Sequence, residues 1–200
     1  DVWEYVAACP VCQKTRNTFN TQVPVRVQTL NHDPSYRRTI CIDLIELETD
    51  ANGCTYANVI SNLMSKSIRI YPQKGKSALE AASSIFSYVV DKGLFDILRS
   101  DQGSDYTSTV VTQLCAWLGL EQRWTPIFWP QGSGAERPHG ELLRHLRALF
   151  MAEHALGKPW SAPEYYKMVE FIHNNDLSHY GLPEGLSPNM VEMGDLDSVY

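Results

Sequence analysis

The chain has 200 residues, of which 44% are hydrophobic and 20% charged, and its formal net charge is −6 at pH 7. This composition is typical of a globular protein rather than a disordered one, and no apolar run approaches the roughly 18 residues that a membrane span needs. Proteins that only coat nucleic acid are usually basic, so the charge argues against simple nucleic-acid binding but not against an enzyme that holds DNA through a local basic face.

The first 36 residues divide into two predicted parts. Residues 1–20 begin with a helical pattern and reach Cys9-Pro-Val-Cys12, which has the spacing of zinc ligands. No second ligand pair lies nearby, so a free cysteine pair at a helix end stays open as the alternative. Residues 21–36 contain two prolines and little periodicity, which predicts a linker. The start lacks the features of a signal peptide, and we expect neither secretion nor a disulfide framework.

From residue 37 onward the pattern is rich in strands. Alternating and β-branched residues predict a first strand, TICIDLIEL, and the turn signal Asn52-Gly53 leads into a second strand, CTYANVIS. SIRIYP is a third. Cys41 and Cys54 lie in these apolar stretches, and we expect both to be small core residues.

A helix follows, capped by Ser77 and ended by Lys92-Gly93. Apolar residues recur along it at the spacing of a single helical face: Leu79, Ala82, Ile85, Phe86 and Val89. The remaining predicted elements are the strand FDILRS, a helix over 108–118 with Cys115 in the core, a strand over 121–124, the loop TPIFWPQGSG, helices over 135–155 and 162–174, and a tail with one short helix. This order predicts an α/β protein with a mixed five-stranded sheet flanked by helices. An RNase H-like fold has this element order, and on the pattern alone it is one candidate among several.

Three acidic residues stand at positions that suit a catalytic site. Asp43 interrupts an apolar strand, where an acid is disfavoured unless it meets a cation. Asp101 directly follows a strand and precedes a glycine turn, and Glu136 lies in the first turn of the long helix. Each also has a purely structural explanation: an edge-strand acid facing solvent, an Asx-type turn or helix cap, and complementation of the helix dipole.

The combination of the three carboxylates favours a metal site. Two carboxylates on neighbouring strands and a third on an adjoining helix can converge on divalent cations. Magnesium prefers hard oxygen ligands and is usually held by a few carboxylates plus substrate phosphate, where it promotes in-line displacement at phosphorus. Asp43, Asp101 and Glu136 are therefore candidate ligands of Mg²⁺ or Mn²⁺.

The stretches IDLIEL, RSDQGSDYTS, LGLEQRWTP and WPQGSGAER resemble the integrases of LTR retrotransposons, the gypsy class especially, and of retroviruses. These enzymes typically show a strand Asp, then S/T-D-x-G-x-x-F-x-S and TP-x-HPQ-x-NG-x-x-ER. The interval from Asp101 to Glu136, 136 − 101 = 35 positions, is close to theirs. The tail HYGLPEGLSPNMVEMG resembles their ending H-x-x-x-G-x-SP-x-E-x-x-x-G, so the resemblance covers residues 1–194.

The resemblance implies that residues 37–200 are an RNase H-like integrase core with the triad Asp43, Asp101 and Glu136. The implied reactions are trimming of element DNA ends and attack of the new 3′ hydroxyl on target DNA. Gln102 and Ser104 would shape the wall of the site, and Gln131 would belong to a mobile loop over it. The implied setting is nuclear or within a virus-like particle, and the implied partners are DNA and further copies of the chain in a homodimer or higher homo-oligomer.

The resemblance also assigns roles to the ends of the pattern. Residues 1–20 would be the C-terminal remnant of a His-His-Cys-Cys zinc domain, so Cys9 and Cys12 would bind Zn²⁺ only with two histidines expected upstream. The long helix carries basic residues that would contact DNA phosphate or form an ordinary solvated face: Arg137, His139 and Arg144. Its apolar stripe would face the core or a partner chain: Leu142, Leu143, Leu146, Leu149 and Phe150.

Several positions depart from the integrase pattern. Phe128-Trp129 stands where a His usually precedes Pro-Gln, the loop is one residue shorter before Glu136, and Pro138 enters the usual ER-x-N. Ser61-Asn62 stands where Asp-Arg is common. Two other functions therefore stay open: a DDE transposase or nuclease of the same fold, and a domesticated integrase retained as a DNA- or protein-binding scaffold.

Overall fold

The computed structural model describes Cys9, residues 39–125, the helical positions 142, 144–146, 148–149 and 151–152, and residues 163–177 and 182–193. The strands are β1 (Thr39–Glu46), β2 (Tyr56–Asn62), β3 (Ile68–Gln73), β4 (Ile97–Ser100) and β5 (Glu121–Trp124). The helices with complete bounds are α1 (Ala78–Lys92), α2 (Thr109–Leu118), α3 (Pro163–Asn174) and α4 (Pro188–Met193). Among these residues, no helix is both long and apolar enough to cross a membrane.

The strands form one mixed sheet in the order β3-β2-β1-β4-β5. The pairs β1–β2 and β2–β3 are antiparallel, whereas β1–β4 and β4–β5 are parallel. The antiparallel part comes from consecutive strands joined by short connections, and the parallel part needs the crossover helices α1 and α2. The predicted mixed five-stranded sheet is confirmed, and β1 is its central strand.

Apolar residues cover both faces of the sheet. On one face, Ile40 and Ile42 of β1 pack with Ile85 of α1 and Val111 of α2. On the other face, Ile45 of β1 joins a cluster that includes residues of α3 and of the helical positions near 142. Because side chains alternate along a strand, Asp43 shares the face of Cys41 and Ile45.

The outer edge of β3 is covered by side chains of α3. The amide N–H of Ile68 donates to Oδ1 of Asn174 at 2.8 Å, and Nδ2 of Asn174 donates to the carbonyl of Ile68 at 3.0 Å. The N–H of Ile70 donates to the carboxylate of Glu170. The next outward position is Pro72, which has no N–H. The edge strand therefore presents no open row of backbone donors to another strand.

The predicted cap at Ser77 is confirmed, and Ser108, predicted as the first residue of a helix, is the cap of α2. The side chain of Ser77 accepts the N–H of Glu80 at the start of α1, and that of Ser108 accepts the N–H of Val111 at the start of α2. Gly119 ends α2 in the left-handed conformation, with φ of 71°. Cys41 and Cys115 are buried core residues as predicted.

Three expectations about burial were wrong. Leu79 and Phe86 are 71% and 53% exposed, because α1 buries the face that carries Ala81, Ser84, Ile85 and Tyr88 instead. Cys54 is half-buried and lies in the connection before β2 rather than in a core strand, because Asp50 accepts the backbone N–H groups of Asn52 and Cys54 in a tight turn.

The structure shows the burial of part of the apolar stripe on the long helix. Leu142 and Leu146 are 0% and 2% exposed in the cluster with α3, so these leucines are core residues rather than partner contacts. The zinc-domain remnant beyond Cys9, the linker, the loop after Thr125 and the other positions of the helix predicted over 135–155 lie outside the described residues.

Candidate active site

Asp43 lies on the central strand, beside Val59 of β2. Its side chain is half-buried, and its Oδ1 accepts the N–H of Leu44 at 2.9 Å. Since β1 has a neighbour on each side, the interpretation of Asp43 as an edge-strand acid is wrong. The strand places this residue near the carboxyl end of the parallel pair.

Asp101 is the first residue after β4, on the parallel neighbour of β1. The register pairs Cys41 with Arg99, and two further residues along each strand bring Asp43 and Asp101 to the same level. Parallel neighbours lie about 4.8 Å apart, so the two backbones are adjacent there. The two acidic residues singled out from the sequence thus lie on adjacent strands at the carboxyl edge of the sheet, where ligand sites of open α/β sheets typically form.

The turn after β4 fixes the direction of Asp101. Its Oδ1 accepts the N–H of Gly103 at 3.0 Å, which is the Asx-type turn that the sequence left open. A Cβ on residue 103 would meet this same Oδ1 at 3.0 Å, tighter than ordinary contacts, so glycine permits the approach. The carbonyl of Gly103 accepts the N–H groups of Tyr106 and Thr107 at 3.1 Å each, and the turn leads directly into the cap of α2.

Tyr106, in the turn after Asp101, is a buried residue whose phenol is affected by the charges of the candidate site. Burial raises the pKa of its phenol far above the usual value, and the charges of Asp43, Asp101 and Asp105 raise that pKa further. The phenol therefore stays protonated and acts as a hydrogen-bond donor. Burial likewise raises the pKa of the Cys41 thiol to about 11, so this thiol stays protonated and is no nucleophile.

The remaining predicted site residues are placed only in part. Gln102 and Ser104 are exposed beside Asp101, where they can face a substrate. Arg144 is half-buried on the helix that carries Leu142, and Cys9 is half-buried. Lying outside the described residues are Cys12, Gln131, Glu136, Arg137 and His139. Within the part of the chain that the structure describes, no group of three or more His, Cys, Asp or Glu side chains could hold a metal.

Sequence reasoning missed a basic loop at this end of the sheet. Lys74 and Lys76 follow β3 and are exposed, and the Lys76 ammonium lies 5.0 Å from the ring centroid of Tyr56. Gln73 of β3 is in register with Tyr56 of β2 and, through it, with Glu46 of β1. Glu46 is three residues beyond Asp43 along β1, and β3 is two strands away from β1. Gln73 therefore lies roughly 14 Å from Asp43. The signal was the K-G-K sequence before a helix cap.

It also missed Asn58, a fully buried polar residue in the middle of β2. Asn58 accepts a hydrogen bond from the Tyr106 hydroxyl at 2.7 Å. An asparagine inside an apolar strand was the available signal, because this residue type is depleted there.

Several known proteins are similar to this chain in sequence. No family model matches the chain. It is 23% identical over 176 residues to a Pro-Pol polyprotein of feline foamy virus, 26% over 147 residues to the retrovirus-related Pol polyprotein of transposon 412 from Drosophila melanogaster, and 28% over 132 residues to a Pol polyprotein of feline endogenous virus ECE1. These alignments cover 88%, 72% and 66% of this chain but only 14%, 12% and 12% of the polyproteins.

Two solved structures share the fold. The intasome of simian T-cell lymphotropic virus, in complex with PP2A regulatory subunit B56 gamma, superposes with a TM-score of 0.67 at 16% identity, over 78% of this chain and 54% of that one. The catalytic core domain of BIV integrase superposes with a TM-score of 0.63 at 18% identity, over 81% and 97%. The chain is related in sequence to Pol polyproteins and has the RNase H-like fold of retroviral integrase cores.

Proposed function

We propose that this chain contains the catalytic core of a retroelement integrase, a polynucleotidyl transferase that processes the 3′ ends of element DNA and joins them to target DNA. The observation that carries the proposal is the alignment of Asp43 and Asp101 at the carboxyl ends of two adjacent parallel strands. The Pol relatives and the integrase-type fold support the same function, although the chain spans only a small part of each polyprotein.

Asp43, Asp101 and Glu136 would hold Mg²⁺ or Mn²⁺. The two described residues suit such a cation because both offer hard carboxylate oxygens and lie on adjacent strands at the carboxyl edge of the sheet. When bound, divalent ions lower the pKa of an attacking water or hydroxyl and offset the charge that develops on the phosphate. The strand and the Asx turn would hold the two carboxylates in fixed directions, so little reorganisation is needed as DNA binds.

DNA contacts would surround the carboxylates. Gln102 and Ser104 lie next to Asp101 and would contact the reacting strand. Lys74 and Lys76 would contact phosphates about four base pairs away, since a duplex advances about 3.4 Å per base pair and the loop is roughly 14 Å from Asp43. We assign Gln131, Arg137, His139 and Arg144 to DNA binding as well, by the integrase pattern.

Self-association and metal binding outside the core are part of the same proposal. Exposed apolar residues on α1 and α3 support a homodimer or higher homo-oligomer: Leu79, Phe86, Val90, Met168, Phe171 and Ile172. Cys9 and Cys12 would bind Zn²⁺ only when two histidines are supplied from upstream. The chain would act in the nucleus or in a virus-like particle, as its Pol relatives suggest.

The test is strand transfer with a short DNA duplex and Mn²⁺, comparing this chain and an upstream-extended form with Asp101→Asn and Glu136→Gln variants. Glu46→Gln is the matched control, because Glu46 is an exposed acid on the same strand as Asp43. We expect activity in a parent and in the control, and a loss of at least about a hundredfold in both triad variants. If both parent chains are inactive and also fail to bind Mn²⁺ in calorimetry, the proposed enzyme function is wrong and a domesticated integrase that acts as a binding scaffold is favoured.

A further inference from the structure

A buried polar cluster joins β2, β3 and α1 behind the candidate site. Asn58 is fully buried, and its Nδ2 donates to Oε1 of Gln73 at 2.8 Å and to Oγ of Ser84 at 3.1 Å. Its Oδ1 accepts the hydroxyl of Tyr106 at 2.7 Å. Both amide protons and the amide oxygen of Asn58 are thereby used, as a buried side-chain amide requires.

Tyr106 links this cluster to the turn that carries Asp101. Its ring is 3% exposed and packs in the apolar cluster beneath α1 and α2. Its backbone N–H donates to the carbonyl of Gly103, and its own carbonyl accepts Nε2 of Gln122 at 3.3 Å. The turn is therefore attached to the sheet on two sides, to β2 through the hydroxyl of Tyr106 and to β5 through its carbonyl.

We propose that Tyr106 is a positioning residue, whose hydrogen bond to Asn58 holds Asp101 level with Asp43 for cation binding. The inference rests on the proposed function, because it assigns a task to the carboxylate pair. Asp101 is exposed and follows Ser100, a buried residue whose carbonyl accepts the N–H of Thr125 and whose hydroxyl donates to the carbonyl of Asp101. These bonds hold the chain before Asp101. After Asp101, the turn of residues 103–107 is attached to the sheet through Tyr106, whose N–H donates to the carbonyl of Gly103.

The hydroxyl of Tyr106 distinguishes this residue from a phenylalanine of the same size. The integrase motif typically has Phe at this position, which would fill the same space without a donor for Asn58. In this chain a polar side chain stands on each side of the contact, Asn58 on β2 and Tyr106 in the turn after β4. Since a half-satisfied buried pair is costlier than a complete one, the bond specifies one position of the turn.

The test uses two variants that weaken the same cluster. Tyr106→Phe removes the bond to the turn, whereas Ser84→Ala removes another partner of Asn58 and leaves the turn untouched. Amide exchange at Tyr106 and Thr107 reports opening of the turn, calorimetry reports Mn²⁺ affinity, and strand transfer gives kcat and KM for DNA. We expect about tenfold faster exchange and weaker Mn²⁺ binding in Tyr106→Phe alone, with kcat lowered and KM unchanged.

The outcomes separate this inference from the proposed function. If wild type binds Mn²⁺ but the two variants match each other in exchange and in Mn²⁺ affinity, Tyr106 merely contributes to stability and the inference fails. If wild type neither binds Mn²⁺ nor transfers strands, the proposed function fails, and exchange at the two amides still decides whether Tyr106 holds the turn.

Discussion

The contact between Asn174 and the edge of β3 gives a stability prediction that can be worked out from the structure. Asn174 is buried and satisfies both the N–H and the carbonyl of Ile68. Asn174→Ala removes both partners at once and leaves two backbone groups facing the space where the side chain was. The neighbouring Asn175 is exposed just after the end of α3, where its Nδ2 donates to the carbonyl of Phe171 and its Oδ1 accepts Nδ2 of Asn189.

An unsatisfied buried backbone group costs about 1–3 kcal/mol, and two groups at one site are not additive. Water can reach an edge strand once the side chain is gone, so we expect a loss of about 2 kcal/mol for Asn174→Ala. For a chain of this size that lowers Tm by about 4–8 °C. Asn175→Ala should cost less than about 0.5 kcal/mol, because its partners stay hydrated.

Urea denaturation followed by circular dichroism measures both free energies of unfolding. Light scattering of the folded variants adds a second readout, since an uncovered strand edge favours association. Equal losses in the Asn174 and Asn175 variants would show that the α3 side chain does not satisfy the edge, and our account of this edge would then be wrong.

Three further predictions concern charge and space. Burial is the main cause that raises the pKa of Glu170 in the folded protein. Its contribution to the free energy of unfolding is therefore present at low pH and is lost as pH rises from about 4 through the raised pKa. Denaturation at a series of pH values should show Glu170→Gln gaining stability relative to wild type over that rise. Lys74→Ala with Lys76→Ala should lower the slope of log affinity for duplex DNA against log salt by about 1.8 in fluorescence anisotropy, about 0.9 for each phosphate contact. Gly103→Ala should displace the Asp101 carboxylate and weaken Mn²⁺ binding about tenfold in calorimetry, with little change in Tm.

Matched control variants test the predictions for the two lysines and for Gly103. Lys92→Gln removes a charge at the far end of α1, about 20 Å from its start, and should leave the salt slope unchanged. If the salt slope falls equally in the Lys74→Ala, Lys76→Ala double variant and in Lys92→Gln, the assignment of the basic loop to DNA binding is wrong. Gly75→Ala places a Cβ 3.6 Å from Oε2 of Glu80, an ordinary contact, and should leave Mn²⁺ affinity unchanged. Equal effects in the two glycine variants would refute the steric argument at Gly103.

Features fixed by neighbours in sequence could be predicted well. The caps at Ser77 and Ser108 depend on a side chain and an N–H three residues later, and the strands follow from alternation. The buried face of α1 could not be predicted in the same way, because apolar residues surround that helix and packing selects among them. Ser84 and Tyr88 are buried while Leu79 is exposed.

The candidate site depends on contacts that local patterns do not contain. The level alignment of Asp43 and Asp101 requires parallel pairing of β1 with β4, across a crossover that includes β2, β3 and α1. The sequence indicated that two carboxylates on neighbouring strands could converge, but it did not indicate the register that aligns them. The contact between Asn58 and Tyr106 joins residues 48 apart in sequence, and neither residue has a spacing that indicates the other.

At Asp101, a structural and a catalytic interpretation of one residue are compatible. The sequence left an Asx-type turn as the alternative to a metal ligand, and the structure contains that turn. A carboxylate offers about four lone-pair sites, so accepting the N–H of Gly103 leaves capacity for a cation. The turn bond also restricts the rotation of the carboxylate, which lowers the entropy lost when a cation binds. In the proposed site, the bond to Gly103 would therefore prepare Asp101 as a ligand, which gives a physical reason for the spacing of Asp101 and Gly103 in this chain.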